Sequence, residues 1–182
     1  NTKLTFADGK TVSSHTILTL AATTGELFSN GAITIKGGTG IQILESLSST
    51  AMNKPLVVNS DYESQGDGTL TLVGNKTITS NNSDITLTVW DLDLQGTITA
   101  GNMTMSIHGA KLDQTIGMGE TAKDLGLTDA ELGSITARGG FTVGSSLSSH
   151  ITVHGLRDSS TDELGLVTLL TTQSCCHHSC AM

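Results

Sequence analysis

The chain has 182 residues, of which 14% are charged and 3% aromatic, with 21 glycines, one proline and a formal net charge of −8. That length holds one domain with a real core. The acidic balance and scattered basic residues exclude a nucleic-acid partner, and no apolar run approaches the roughly 18 residues a membrane span needs. Low charge combined with abundant Thr, Ile, Leu and Val points to an ordered, β-rich chain with many turns.

Taken in chain order, the predicted elements are short period-two strands. They are ITI from Ile33, IQI from Ile41, LVV from Leu56, LTL from Leu70 and TIT from Thr77, then ITLTV from Ile85 and LDL from Leu92. TIT from Thr97, MTMSI from Met103, FTV from Phe141 and ITV from Ile151 follow. Each alternates an apolar side chain with Thr or another polar residue, so Ile85 and Leu87 point to a core and Thr86 points out. Gly, Asn, Asp and Ser lie between them, as turns require. Leu70 to Ile85 is 15 residues and Ile85 to Met103 is 18, a spacing near the lower edge of the solenoid range. The expected fold is therefore all-β, a single-stranded parallel β-helix (β-solenoid). Residues 1–170 form coils of roughly 15–20 residues in which stacked strands bury a continuous apolar column.

Three stretches break the alternation. Residues 48–55 and 61–68 read as corner loops. Residues 119–134 read as a corner insertion with a short helical turn, because Thr128 and Glu131 have capping-box spacing. After Leu170 the β pattern stops, and 171–182 reads as a non-repeat tail, disordered or aberrant. All three cysteines fall there, so the body of the domain has no disulfides.

From Asp84 the chain runs DITLTVWDLDLQGTITAGN, and from Lys111 KLDQTIGMGETAKDLGLTDAELGSITARGGFTVG, with ITVHG further on. Over roughly residues 69–170 this resembles repeats of very large secreted surface proteins of the filamentous-haemagglutinin type. The resemblance implies a right-handed β-helix that forms a stalk or adhesive surface, placed outside the cell or on its surface. It implies further repeats of the same chain at both ends and contact with glycans or neighbouring cell surfaces. It carries over no catalytic residue.

Candidate chemistry is sparse. Cys175, Cys176, His177, His178 and Cys180 offer thiolate and imidazole ligands, but structural zinc sites bring together two separated ligand pairs and no second pair exists. Asp91 and Asp93 should share one face of a strand near Asp84 and offer oxygen ligands to a cation such as Ca²⁺ between coils. They are also the nearest approach to the carboxylates of a carbohydrate-active β-helix enzyme, an alternative that requires three or more carboxylates in one groove. No nucleophile elbow or phosphate-binding loop is present, and no cofactor is expected. Asn75, Asn81 and Asn102 lie in N-x-S/T sequons. Outward T-x-T pairs from Thr69, Thr77, Thr86 and Thr97 suggest an ice-binding face, but with coils of 15–20 residues the pairs do not recur at one position coil after coil. The reading that best fits is a non-enzymatic structural or adhesive segment.

Overall fold

The computed structural model describes residues 3–171. The first coil comprises β1 (Leu4–Phe6), β2 (Lys10–Ser14) and β3 (Ile17–Leu20), and the second β4 (Leu27–Ser29), β5 (Ile33–Gly37) and β6 (Gly40–Ile43). The third holds β7 (Leu47–Ser49), β8 (Leu56–Asn59) and β9 (Thr69–Leu72), and the fourth β10 (Thr77–Thr79), β11 (Ile85–Val89) and β12 (Asp91–Leu94). The fifth holds β13 (Thr97–Gly101), β14 (Thr104–Gly109) and β15 (Gln114–Gly119). After it come β16 (Leu125–Leu127) and α1 (Asp129–Leu132), then β17 (Ile135–Ala137), β18 (Gly140–Gly144), β19 (Ser148–His154) and β20 (Val167–Leu170).

Strands from successive coils pair in parallel to form three faces. The first face is β1-β4-β7-β10-β13-β17 and the second β2-β5-β8-β11-β14-β18-β20. The third begins as β3-β6-β9-β12 and continues as β16-β15-β19. This is a parallel β-solenoid. Thr and β-branched residues favour such strands because each side chain stands on a pleated surface, half of it against the core. The inward positions align into columns: Ile33, Leu56, Ile85, Met105 and Phe141 follow one another in register on the second face. They are at most 4% exposed and belong to one continuous core with Leu27, Leu70, Leu92 and Ile98.

The coils are longer and less even than the sequence spacing predicts. Ile78 pairs with Ile98, 20 residues on, whereas Ile98 pairs with Ile135, 37 residues on. Leu70 and Ile85, taken above as one repeat apart, stand on different faces. Leu70 pairs with Ile41 and Leu92, and Ile85 pairs with Leu56 and Met105. Met103 lies in a corner and Met105 takes the core position expected of it. Each coil has three strands, so counting from one strand to the next alternating strand measures a face, not a coil.

The corners use residues that tolerate a left-handed backbone. Asn53, Asn75, Asn81 and Asn82 have φ between 53° and 61°, a region open to Asn because its short amide bonds to local backbone. The 61–68 loop and the helical turn appear where the sequence places them. Thr128 caps α1 and Glu131 completes the capping box.

One strand, β16, lies inside the stretch 119–134 that reads as a corner insertion, and β1 to β4, β7, β15 and β17 add strands where the sequence names none. After β15 the chain folds back across the outer side of that strand and lays β16 beside it in parallel, Ile116 opposite Leu125. A Cβ on Gly117 would stand 2.0 Å from the Thr121 carbonyl oxygen, so only glycine lets the return segment pass this closely. β16 thus sits between β12 and β15, where a regular solenoid would pair those two directly. Residues 172–182, which include the whole Cys/His tail, lie outside the described residues. Among the described residues no helix is long and apolar enough to cross a membrane.

Candidate functional site

The outer surface is where side chains are left over from core building, and its order follows from the register. On the first face, Ser48, Thr79, Thr99 and Thr136 form one outward rank. Two residues earlier in each coil stand Ser46, Thr77, Thr97 and Ser134. The two ranks form a grid, with strands about 4.8 Å apart and side chains on one strand about 6.6 Å apart. Thr77 Oγ1 and Thr97 Oγ1 are 3.0 Å apart, and the Thr77 amide donates to Ser46 Oγ at 3.2 Å. The second face carries its own rank, in order Thr11, Thr34, Val57, Thr86, Ser106, Thr142 and Thr168. The expectation that threonines fail to recur at one position is therefore corrected. Unequal corners push the pairs out of step in the sequence while the ladders hold them in step in space.

Asp91 and Asp93 do share the outer side of β12, alternating with the buried Leu92 and Leu94. Both are occupied by hydrogen bonds. The Gly126 amide donates to Asp91 Oδ1 at 3.1 Å, and Gln95 Nε2 donates to both oxygens of Asp93 at 3.2 and 3.3 Å. Asp84 lies elsewhere, at the corner before β11, where it accepts from the amide and hydroxyl of Thr104 one coil on. The three carboxylates thus do not converge, because a one-residue corner at Trp90 turns β12 onto another face. Among the described residues no group of three His, Cys, Asp or Glu side chains is placed to hold a metal ion.

Two further carboxylates serve the insertion, Glu131 beside β12 and Asp124 beside β15, and the sequence marks only Glu131, through its capping box. Glu131 is 9% exposed and accepts from the Leu94 amide at 3.1 Å and from the Thr128 amide and hydroxyl, each at 2.8 Å. Asp124 accepts from the Thr115 amide at 3.0 Å and hydroxyl at 2.7 Å. Those two donors hold the Asp124 carboxyl below its ordinary range. These groups act as acceptors for backbone donors that strand pairing does not reach. The capping-box spacing marks Glu131 in the sequence, but its bond to Leu94 spans 37 positions and leaves no local trace.

Asn75 and Asn102 are exposed and Asn81 is half-buried, all three at corners. The remaining polar feature is the ridge between the second and third faces, where His15, Tyr62, Trp90 and Lys111 occupy corners of different coils. Compared with family models, curated proteins and solved structures, the chain matches none.

Proposed function

We propose that this chain is a wall-building segment of a large extracellular or cell-surface repeat protein, of the filamentous-haemagglutinin type, with a structural or adhesive role and no catalysis. The observation that carries the reading is the register. A rod stiffened by hydrogen bonds along its axis presents polar groups in register at successive levels, so many weak contacts to glycans or neighbouring surfaces add up without a single decisive residue. The carboxylates Asp91, Asp124 and Glu131 are spent on backbone donors, which favours this reading over an enzyme. Further repeats suit the last coil: Val167 and Leu169 continue the columns of Phe141 and Val143 yet are 40% and 45% exposed, an apolar level that another coil would cover.

The test uses beads coated with the chain, or with two and four tandem copies, washed over cultured cells and polysaccharide films. Retention that rises steeply with copy number, with no new reducing ends released from the films, is the expected result. Failure of every bead to be retained contradicts the adhesive role, and release of reducing ends supports the carbohydrate-active enzyme instead.

The hydroxyl grid on the first face favours one second reading, an ice-binding surface, because its two ranks persist over four successive coils. Ice recrystallisation would then be inhibited by the chain and restored by Thr79→Lys with Thr99→Lys. Ice growth indifferent to the wild-type chain removes that reading.

A further inference from the structure

We propose that the ridge between the second and third faces, around the loop 61–68, is a binding subsite for a neutral pyranose oligosaccharide. The proposal rests on the adhesive reading and gives it a place. The chain holds a single Tyr and a single Trp, and both stand on this ridge at the corners of adjacent coils. The Tyr62 ring offers an apolar face for the C–H side of a pyranose and the polar groups at its edge take the sugar hydroxyls, while Trp90 supports the loop from beneath.

The subsite is built in advance. The loop from Ser60 to Gly68 is the longest corner on this ridge, and Asp61, fully buried beneath it, accepts from the Gln65 amide at 3.1 Å and the Gly66 amide at 2.8 Å. Ser60 Oγ donates to the Gly68 carbonyl at 2.6 Å, and the Tyr62 amide donates to the Gly37 carbonyl one coil back at 3.1 Å. On the far side Lys111 Nζ donates to the Gln65 carbonyl at 3.0 Å and stands 5.7 Å from the centre of the Trp90 ring. Gly66 has φ +87°, and a Cβ there would come within 3.1 Å of Trp90 Cζ3. The loop backbone is therefore seated on the indole. Little ordering is left to be lost when a ligand arrives.

What the ridge leaves open is polar. Tyr62 Oη is 2.8 Å from His15 Nδ1, and the same nitrogen is 3.2 Å from Glu63 Oε1. That arrangement leaves His15 Nε2 open, and the Glu63 carboxylate, which also meets the Tyr62 hydroxyl, stands exposed at its edge. The indole N–H of Trp90 has no partner among the described residues, and it is not a buried orphan. These groups supply a donor and acceptor set for hydroxyls. Glu63 on the ridge and the net charge of −8 disfavour an anionic sugar.

Trp90 is the only tryptophan, so its emission reports on the ridge alone. The full chain is titrated with cellohexaose and, separately, with chitohexaose. A saturable change in emission with Kd on the order of 1 mM is expected for at least one. Tyr62→Ala weakens it tenfold or more, Tyr62→Phe keeps most of it, and Asp162→Asn, on an exposed turn far along the chain, leaves it unchanged. Emission and circular dichroism of each sugar-free variant show whether the loop stays seated; if Tyr62→Ala loosens it, Glu63→Gln provides the same test through the hydroxyl contacts. Absence of saturation with both sugars, or wild-type affinity in both Tyr62→Ala and Glu63→Gln, overturns the proposal. Bead retention separates this from the broader reading: wild-type beads that hold to cells without binding either sugar refute the ridge alone, and sugar binding without retention refutes adhesion alone.

Discussion

The stack from β4 to β14 and the insertion around β16 and α1 meet the same demand by different means. In the stack, each strand finds its hydrogen-bond partners one coil away, and side chains are needed only to fill the axis and face the solvent. Between β12 and β16 there is no backbone ladder. The Gly126 amide turns to Asp91 and the Leu94 amide turns to Glu131. The difference shows what a solenoid requires in order to accept an extra strand: carboxylates must stand in for the missing carbonyl acceptors. It leads to the expectation that outer Thr of the stack can be replaced one at a time at little cost while the acidic residues at the insertion cannot.

The comparison can be broken most forcefully in the stack's core. Ile98→Ala removes a side chain that is 1% exposed and should cost about 4 kcal/mol, read as a fall in the urea midpoint. A cost under about 1 kcal/mol would mean that the coil is not tightly stacked there. At the insertion, Glu131→Ala leaves the Leu94 and Thr128 amides without their acceptor and removes the Glu131 half of the capping box, for about 3 kcal/mol. Glu131→Gln should retain part of that. Equal melting temperatures for wild type and Glu131→Ala would remove the claim that the carboxylate bridges the gap.

Smaller effects sharpen the contrast. Gly117→Ala should cost about 1–3 kcal/mol through the clash with the Thr121 carbonyl, whereas Gly74→Ala, whose Cβ would meet nothing nearer than 3.9 Å, should cost less. Asp124 titrates lower in the folded chain than in the unfolded one, because Thr115 donates twice to its charged form. Its contribution is therefore complete above the unfolded value and disappears as pH falls through the lower folded value, below about pH 4. The stability difference between wild type and Asp124→Asn should be constant near neutrality and shrink in that acid window. A difference independent of pH would assign the effect to something other than the charge. Thr142→Val on the outer rank of the second face should stay within about 0.5 kcal/mol.

The legible and illegible parts of the sequence divide along the same line. Period two within each strand is a local property, so Ile85, Thr86 and Leu87 disclose their directions unaided. The capping box at Thr128 and Glu131 is likewise written within four residues. Coil length is not local. Corners of one residue at Trp90 and nine at 60–68 make the spacing irregular, which hides both the three-strand coil and the ranks of Thr79, Thr99 and Thr136. β16 escaped because LGL lies inside a stretch whose capping-box spacing reads as a helical turn, and its place depends on a glycine that lets the chain cross over β15. The ridge was invisible for the same reason: His15, Tyr62, Trp90 and Lys111 are separated by whole coils and meet only when the coils stack.

Everything rests on that stacking, and one distance tests it. Thr34 and Thr142 lie on the same outward rank of the second face, four strand steps apart through Val57, Thr86 and Ser106. With Cys175, Cys176 and Cys180 replaced by serine and spin labels at positions 34 and 142, the backbone separation should be about 19 Å, with a narrow distribution. A broad distribution, or a centre beyond about 30 Å, exceeds any four-step stack and would contradict the solenoid and every surface assignment built on it.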